Sequence, residues 1–285
     1  MEKKELKSSF ELPSSFSSQL PSKLSSKLPW KYKGLIIGLL VAIIYYWAII
    51  GTQTSPVGFV KGIPFMIDFV KRMFPPDITH LSIFLQKAVE TLQMAIVGST
   101  IGALIALPLS FLAARNIMPN KFVYHSIRTI FDALRGINEI VWGLIFVSMV
   151  GLGPFPGVLA LSAHVTGALG RYFSEAIETV DQEIIKAIIS TGANKIQVIA
   201  RGIFPQVKPL FINYMLYYLE NNFRAATVLG LVGAGGIGME LLTSMRLFKN
   251  QEVLTILIIM IVMVTAIDRF SAYIRKKIVN VESLE

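Results

Sequence analysis

The run from residue 34 to residue 51 holds eighteen residues without a charged side chain. At about 1.5 Å of rise per residue, a helix over this run is about 27 Å long, close to the hydrocarbon thickness of a bilayer. A cleaved signal peptide is the alternative. The basic stretch before the run is too long for one, and no small-residue cleavage site follows Gly51. We therefore expect a retained membrane helix.

The composition agrees with a membrane protein. Hydrophobic residues make up 53% of the chain and charged residues 16%, whereas roughly 25% charged residues is usual in a soluble domain. The chain has no cysteine, which excludes disulfides, a thiolate nucleophile and cysteine-ligated metal sites. The net charge of +9 is compatible with nucleic-acid binding, but the cytoplasmic loops of membrane proteins also collect lysine and arginine.

Five further apolar segments follow, at residues 85–113, 127–150, 158–176, 210–232 and 253–274. The sequence thus predicts an all-α, polytopic membrane protein with six transmembrane helices. If both termini are cytoplasmic, nineteen lysines and arginines fall on the cytoplasmic side and six outside. This distribution satisfies the positive-inside rule, so we expect no nucleic-acid partner.

The predicted organisation has five parts. Residues 1–33, rich in serine, lysine, leucine and proline, are expected to form a disordered cytoplasmic tail. The first transmembrane helix, 34–51, leads to an extracytoplasmic loop at 52–84. A core with five transmembrane helices, 85–275, and a cytoplasmic C-terminal tail, 276–285, complete the chain.

The cytoplasmic segment 175–209 is too polar to cross lipid but is regularly patterned. Four isoleucines repeat on one helical face, at positions 184, 185, 188 and 189. Gly192 favours a left-handed turn that ends this helix, and Asn194 with Gln197 resembles a capping box that begins another. We expect Pro205 and Pro209 to break the second helix. The resulting hairpin either lies on the membrane surface or docks onto a partner.

The same segment resembles the cytoplasmic coupling loop of binding-protein-dependent ABC importer permeases. In that family an E-A-A triplet is followed by glycine after three residues and by I-x-L-P further on. Aligned on Gly192, Ala187 and Pro205 also match, while Lys186 replaces the acidic residue and Gly202 the later isoleucine. The resemblance implies a helical coupling loop whose ATPase-contacting residues are Lys186, Ala187, Gly192, Ala193, Asn194 and Pro205.

Four other stretches, at 134–146, 151–178, 190–207 and 220–238, look like the permease of phosphonate or phosphite ABC importers, where the acidic triplet residue is commonly absent. The resemblance covers roughly residues 80–275. It implies a homodimeric permease in the bacterial plasma membrane that works by alternating access. The implied partners are two cytoplasmic ABC ATPases, which bind ATP and Mg, and an extracytoplasmic phosphonate-binding protein. This chain itself would bind no cofactor.

The glycine-rich sequence at 233–238 fits G-x-G-x-x-G, the fingerprint of a dinucleotide site. That fingerprint needs a βαβ unit, whereas another membrane segment follows here, so we reject it. Clustered glycines in a membrane protein instead permit close helix contact or a buried non-helical turn. The resemblance favours a flexible segment near the outer gate, formed by Gly233, Gly235, Gly236 and Gly238.

Two arginines, Arg135 and Arg224, fall at predicted membrane depth, where an unpaired charge costs at least about 2.5–3.5 kcal/mol. Glu139 and Glu220 lie four residues away from them, so each pair either neutralises itself or lines a water-filled path. A guanidinium suits an oxyanion, and we predict a translocation path that includes Arg135, Glu139 and Arg224. His164 is expected to be a packed, hydrogen-bonded residue without metal-ligand spacing.

No P-loop, G-x-S-x-G or H-E-x-x-H motif occurs in the sequence, and its carboxylates form no recognisable acid–base pair. We therefore expect a transport subunit without an ATPase, catalytic or metal site of its own. Two alternatives stay open at this point. One is an ABC permease for another small solute, such as methionine, and the other is a self-sufficient secondary transporter, which would show paired broken helices in both halves.

Overall fold

The computed structural model describes residues 30–53 and 55–282, and within them it contains helices and no strand. The all-α prediction is confirmed for this part of the chain. Most of the predicted N-terminal tail, 1–29, lies outside the described residues. The helices are α1 (Trp30–Gly51), α2 (Pro56–Met73), α3 (Leu81–Leu112), α4 (Lys121–Gly136), α5 (Glu139–Val150), α6 (Pro154–Glu178), α7 (Gln182–Ser190), α8 (Lys195–Val198), α9 (Phe204–Leu229), α10 (Gly236–Arg246) and α11 (Asn250–Glu282).

The chain divides into two units, of which the first ends at Met66 and the second begins at Ile67. In the first unit, α1 begins at Trp30, four residues before the predicted span, and its described side chains are almost all exposed. The predicted loop 52–84 contains α2, an amphipathic helix. Its apolar residues and its charged residues lie on different faces, a pattern that a search for unbroken apolar runs does not detect.

Two helices of the described chain, α3 and α11, are long and apolar enough to cross a membrane. Two bent pairs, α4 with α5 and the chain from α8 to α10, raise the number to four. Helix α6 is not among them, because polar residues such as His164, Arg171 and Glu175 interrupt its apolar character. The predicted total of six spans therefore stays a prediction.

Helix α6 lies at the centre of the second unit, where it packs against α3, α4, α5 and α9. Small residues set its distance from α3. A Cβ atom on Gly98 or on Gly102 would lie 2.8 Å from Leu161 or 2.7 Å from Val165, respectively. Close approach of two helices through small residues is the usual packing in membranes.

The connecting segments group at two ends of this unit. At one end the Asn116 side chain donates to the Ile177 carbonyl at 2.7 Å. At the other, the Gly153 N–H donates to the Gly233 carbonyl at 3.0 Å. The first pair joins segments predicted to be cytoplasmic, and the second joins segments predicted to be outside. This grouping agrees with the prediction that successive connecting segments lie on opposite sides of the membrane. Which end faces the cytoplasm stays a prediction.

Two predicted segments have helix boundaries that the sequence pattern does not show. The predicted span 127–150 is two helices, α4 and α5, which meet at 88°. The bend follows Gly136, and the Asn138 side chain caps α5 by accepting from the Ile140 N–H. The predicted C-terminal tail, 276–285, is helical as far as Glu282, where α11 ends.

The prolines at 205 and 209 do not break the chain. A π turn, Ile199–Ile203, connects α8 directly to α9, and the Phe204 N–H bonds to the Ile199 carbonyl. Pro205 then occupies the first turn of α9, where a missing N–H costs little, and Pro209 lies inside the helix. The Gln206 side chain donates to the Gly202 carbonyl at 2.6 Å, which satisfies one acceptor of the turn.

Candidate functional site

The predicted coupling segment forms a compact hairpin of α7, a glycine turn and α8. The Asp181 side chain caps α7 by accepting from the Glu183 N–H at 2.8 Å. Gly192 has a φ of +80°, the left-handed conformation expected of it. The capping box of α8 is present, with both reciprocal bonds between Asn194 and Gln197 at 2.9 Å. Local hydrogen bonds therefore fix the shape of this hairpin.

The hairpin has an inward and an outward apolar face. Ile185 packs against the core cluster around Phe173, and Val198 is buried. Ile184 and Ile189 are exposed, and Ile196 at the start of α8 is 77% exposed. The outward residues also include the exposed Lys186, Ala187 and Asn194 and the half-buried Ala193. Three unpartnered isoleucines beside a rigid turn form the kind of surface that receives another protein.

Four charged side chains at the crossing of α4 and α6 form a group that we call the Asp132 cluster. It comprises Asp132, Arg135, Arg171 and Glu175. The Arg135 Nη2 lies 2.9 Å from Asp132 Oδ1, and the Arg171 Nε lies 2.6 Å from Glu175 Oε1. Asp132 Oδ2 lies 3.6 Å from Arg171 Nη1, so one carboxylate stands between two guanidiniums.

The Asp132 cluster decides against the alternative in which Arg135 and Glu139 neutralise each other. A continuous helix would place these residues one turn apart, but the bend between α4 and α5 separates them. Arg135 pairs instead with Asp132, three residues before it. Glu139 faces His164, whose Nδ1 lies 3.9 Å from the Glu139 carboxylate and 3.4 Å from the Ile137 carbonyl.

A second group, the Glu220 cluster, joins α9 to α11 through Glu220, Arg224, Asp268 and Arg275. The predicted pair of Arg224 with Glu220 is present at 2.8 Å. Arg224 also donates to both oxygens of Asp268 at 3.0 Å, and Arg275 donates to the other Glu220 oxygen at 2.8 Å. Arg224 is therefore paired twice, across two helices. Asp268 lies 44 positions from Arg224, a separation that leaves no local signal in the sequence.

The glycine segment, residues 233–238, comprises a tight turn at 233–235 and the first residues of α10. Gly233, Gly235 and Gly236 have positive φ angles of 91°, 76° and 70°. A Cβ atom on Gly238 would lie 1.9 Å from the Thr227 carbonyl oxygen, so α10 passes directly against α9. Neither a strand nor a βαβ unit surrounds the motif in the described chain, in agreement with the rejection of a dinucleotide site.

Two polar residues of α3, which sequence reasoning missed, hold the glycine segment in place. The Gly236 N–H donates to the Glu90 carboxylate at 2.9 Å, and the Ile237 N–H donates to the Thr91 hydroxyl at 2.8 Å. Lys87 pairs with the other Glu90 oxygen at 2.7 Å. An acidic side chain at the start of α10 also matches the helix dipole.

Comparison with known proteins gives a family and a fold. Residues 106–280 match the family model of the binding-protein-dependent transport system inner membrane component. The chain is 38% identical, over 87% of its length and 90% of the relative's, to the phosphite transport system permease protein PtxC of Stutzerimonas stutzeri. It is 44% identical to the putative phosphite transport system permease protein HtxC of the same organism, over 77% and 78% of the two chains.

A solved structure supports the fold. A chain of the MetNI methionine ABC transporter, in an inward-facing conformation, aligns with a TM-score of 0.63 at 21% sequence identity. The alignment covers 71% of this chain and 99% of that one. The fold of this chain is therefore similar to that of a chain of this transporter.

Proposed function

This chain belongs to the family of binding-protein-dependent transport system inner membrane components, and we propose that it is the permease subunit of an ABC importer for phosphite or phosphonate. The observation that carries the proposal is its similarity, over most of both chains, to two phosphite transport permeases. It is a subunit that moves solute rather than an enzyme. The assembled importer hydrolyses ATP on a partner that binds the nucleotide and Mg.

The hairpin is the proposed contact with that ATPase. Its exposed Ile184, Ile189 and Ile196 supply apolar area, and Lys186 adds a charge beside them. Ala187, Gly192, Ala193 and Asn194 form the turn between these anchors, while Pro205 begins the helix that leaves it. Because caps on both helices fix the turn, the hairpin moves as one body when the ATPase changes conformation.

Motion then passes from the hairpin to the membrane helices through α9. The π turn joins α8 to α9 without a loop, so displacement of the hairpin displaces the whole of α9. Helix α9 carries Arg224 and ends at the glycine segment. ATP binding closes the ATPase pair, draws two hairpins together and opens the path outward, and hydrolysis with product release resets it.

Arg135, Glu139 and Arg224 line the proposed path. The two guanidiniums are forked donors suited to the oxygens of a phosphorus oxyanion. The charge partners found for both arginines keep the attraction moderate, and a transport site must bind weakly enough to release its solute. Gly233, Gly235, Gly236 and Gly238 form the proposed outer gate at the far end of α9.

The working assembly is two copies of this chain, two ATPases and an extracytoplasmic binding protein, in the bacterial plasma membrane. Both termini lie in the cytoplasm in this arrangement, since that orientation satisfies the distribution of lysine and arginine. Lipid surrounds the exposed apolar side chains of α1 and α11. The binding protein chooses among phosphorus compounds before they reach this subunit.

The test is to isolate the tagged chain from its native membrane and to weigh the intact complex by mass spectrometry. Two permease chains with two ATPases are expected. The binding protein loaded with phosphite or methylphosphonate should then stimulate ATP hydrolysis, and methionine should not. Stimulation by methionine alone would reassign the solute. A chain that is isolated alone and moves solute in ATP-free vesicles would contradict the importer proposal.

A further inference from the structure

The Asp132 cluster exists because α4 crosses α6 at very short distance. A Cβ atom on Gly167 would lie 2.6 Å from the backbone nitrogen of Arg135, and one on Gly170 would lie 2.3 Å from the Phe131 ring. These two glycines let the C-terminal turn of α4 rest directly on α6. Asp132 and Arg135 are thereby placed beside Arg171, one turn further along α6.

The cluster lies opposite the middle of α6 and is open on one side. Helix α6 runs from Pro154 to Glu178, so Gly167 is near its midpoint. Asp132 is 46% exposed, Arg135 41% and Arg171 23%. In the proposed permease this cluster lies at membrane depth, where charges this exposed do not face hydrocarbon, because the cost is too high. The open side faces water or a second copy of the chain.

The geometry around the Asp132 carboxylate is that of an occupied anion site. Arg135 holds one oxygen through two nitrogens, Nε at 3.0 Å and Nη2 at 2.9 Å. Arg171 Nη1 lies 3.6 Å from the other oxygen, too far for a good hydrogen bond. The Asp132 carboxylate thus engages Arg135 fully and only approaches Arg171, whose Nε is held by Glu175 at 2.6 Å while its Nη1 lacks a close contact with Asp132. A tetrahedral oxyanion with three oxygens can reach both.

The Glu220 cluster does not share this geometry. There Glu220 is only 15% exposed and each of its oxygens already accepts from one arginine, at 2.8 Å in both cases. Arg224 has a second carboxylate, Asp268, at 3.0 Å. All four carboxylate oxygens of Glu220 and Asp268 lie within hydrogen-bond distance of a guanidinium nitrogen. The Asp132 cluster is therefore the better candidate for exchange with a transported anion.

We propose that Asp132 is a place-holder for the transported anion, and that Arg135 and Arg171 are the two ligands between which a phosphite or phosphonate group displaces it. This inference rests on the proposed function and adds Asp132 and Arg171 to the path. Competition from Asp132 weakens anion binding, which suits a site that must release its solute. When the anion leaves, Asp132 closes the site again and pairs with Arg135, while Glu175 stays paired with Arg171.

The experiment measures anion binding to the purified importer complex without binding protein, by ³¹P NMR line broadening of methylphosphonate. The wild-type complex should bind weakly. Asp132→Asn removes the competing charge at nearly constant size, so its Kd for methylphosphonate should fall about tenfold. Arg171→Gln should raise the Kd about tenfold or more. An unchanged or weaker affinity in Asp132→Asn would overturn the place-holder role, because a purely structural ion pair predicts no tightening.

A matched control breaks an ion pair elsewhere. Asp68 and Arg72 form an exposed pair on α2 at 2.6 Å, and Asp68→Asn should leave the Kd at the wild-type value. If Asp132→Asn does not assemble, Arg171→Lys keeps the charge but loses the fork, and its Kd should rise several-fold. An unchanged Kd in that variant refutes the proposal equally. Failure of the proposed function is a separate result, namely that the wild-type complex with its binding protein transports neither phosphite nor methylphosphonate.

Discussion

The side-chain amide of Asn222 on α9 donates a hydrogen bond of 2.7 Å to the hydroxyl of Ser99 on α3. Asn222 is 2% exposed and Ser99 8%, so this bond links two helices inside apolar surroundings. Leu219, one turn before Asn222, lines an adjoining cavity of about 270 Å³ together with Ser99. The bond therefore holds α9 against α3 beside this pocket.

Removal of the Asn222–Ser99 hydrogen bond should lower the free energy of unfolding by weakening the contact of α9 with α3. Asn222→Leu deletes the donor, so the buried Ser99 hydroxyl oxygen loses this hydrogen bond. Hydrogen bonds between membrane helices average about 0.6 kcal/mol and reach about 1.7 kcal/mol, so we expect a loss in that range. Thermal unfolding of the purified complex measures it. Ser99→Ala with Asn222→Leu should cost no more than Asn222→Leu alone, and a larger additive loss would contradict a direct coupling.

Gly192→Val should abolish transport while leaving membrane insertion intact. A Cβ atom at Gly192 meets nothing within 4 Å, so the penalty arises only from the φ of +80°. A left-handed conformation costs a residue with Cβ roughly 1–2 kcal/mol, and a β-branched residue more. The α7–α8 turn would shift to relieve this strain. Solute uptake and membrane content of the variant are the two measurements.

Gly192→Asn is the matched control, because asparagine tolerates the left-handed region and the site has open space. It should retain most of the transport activity. If Gly192→Val transports at the wild-type rate, the geometry of the hairpin does not matter for coupling.

The hairpin could be predicted because its determinants are local. The isoleucine spacing, Gly192 and the Asn194–Gln197 pair all lie within a few residues of each other. Hydrogen bonds between near neighbours in the sequence therefore determine the structure of the hairpin. The same locality explains why the pair of Glu220 with Arg224 was found. Within one continuous helix, residues four apart are neighbours whatever the rest of the chain does.

The remaining charge partners depend on how helices cross. Asp132 lies near Arg171 because Gly167 and Gly170 allow α4 to pack closely against α6. The spacing of residues in the sequence does not reveal a contact between two separate helices. Arg135 pairs with Asp132 and not with Glu139 because its helix ends one residue later, at Gly136. Pro205 favours the end of a helix, but in the folded chain the π turn connects α8 to α9 and Pro205 lies in the first turn of α9. Tertiary packing overrides the local preference there.

Ile196→Ser should weaken attachment of the ATPase without unfolding the permease. The side chain is 77% exposed, so the free energy of unfolding should change by less than about 0.5 kcal/mol. Loss of an apolar anchor at the centre of an interface typically costs more than about 1 kcal/mol of binding. Co-purification of the ATPase with the tagged permease measures the effect.

Ile78→Ser serves as the control for that experiment. Ile78 is 67% exposed in the connection between α2 and α3, on the segment predicted to be outside. It should leave ATPase co-purification unchanged. Equal losses from both variants would mean that exposed apolar residues stabilise the complex generally, and not through the hairpin.

Gly238→Ala should destabilise the junction of α9 and α10. The new Cβ would lie 1.9 Å from the Thr227 carbonyl oxygen, and a backbone atom cannot give way as a flexible side chain does. We expect a loss of about 1–3 kcal/mol or more, as for overpacked cores, together with slower transport. Thermal unfolding of the complex measures the first and solute uptake the second.

Gly38→Ala on α1, where a Cβ meets nothing within 4 Å, should be neutral or slightly stabilising. If Gly238→Ala unfolds and transports as the wild type does, then α10 can move away from α9 at no cost, and the glycine segment is a loose hinge rather than a tight contact.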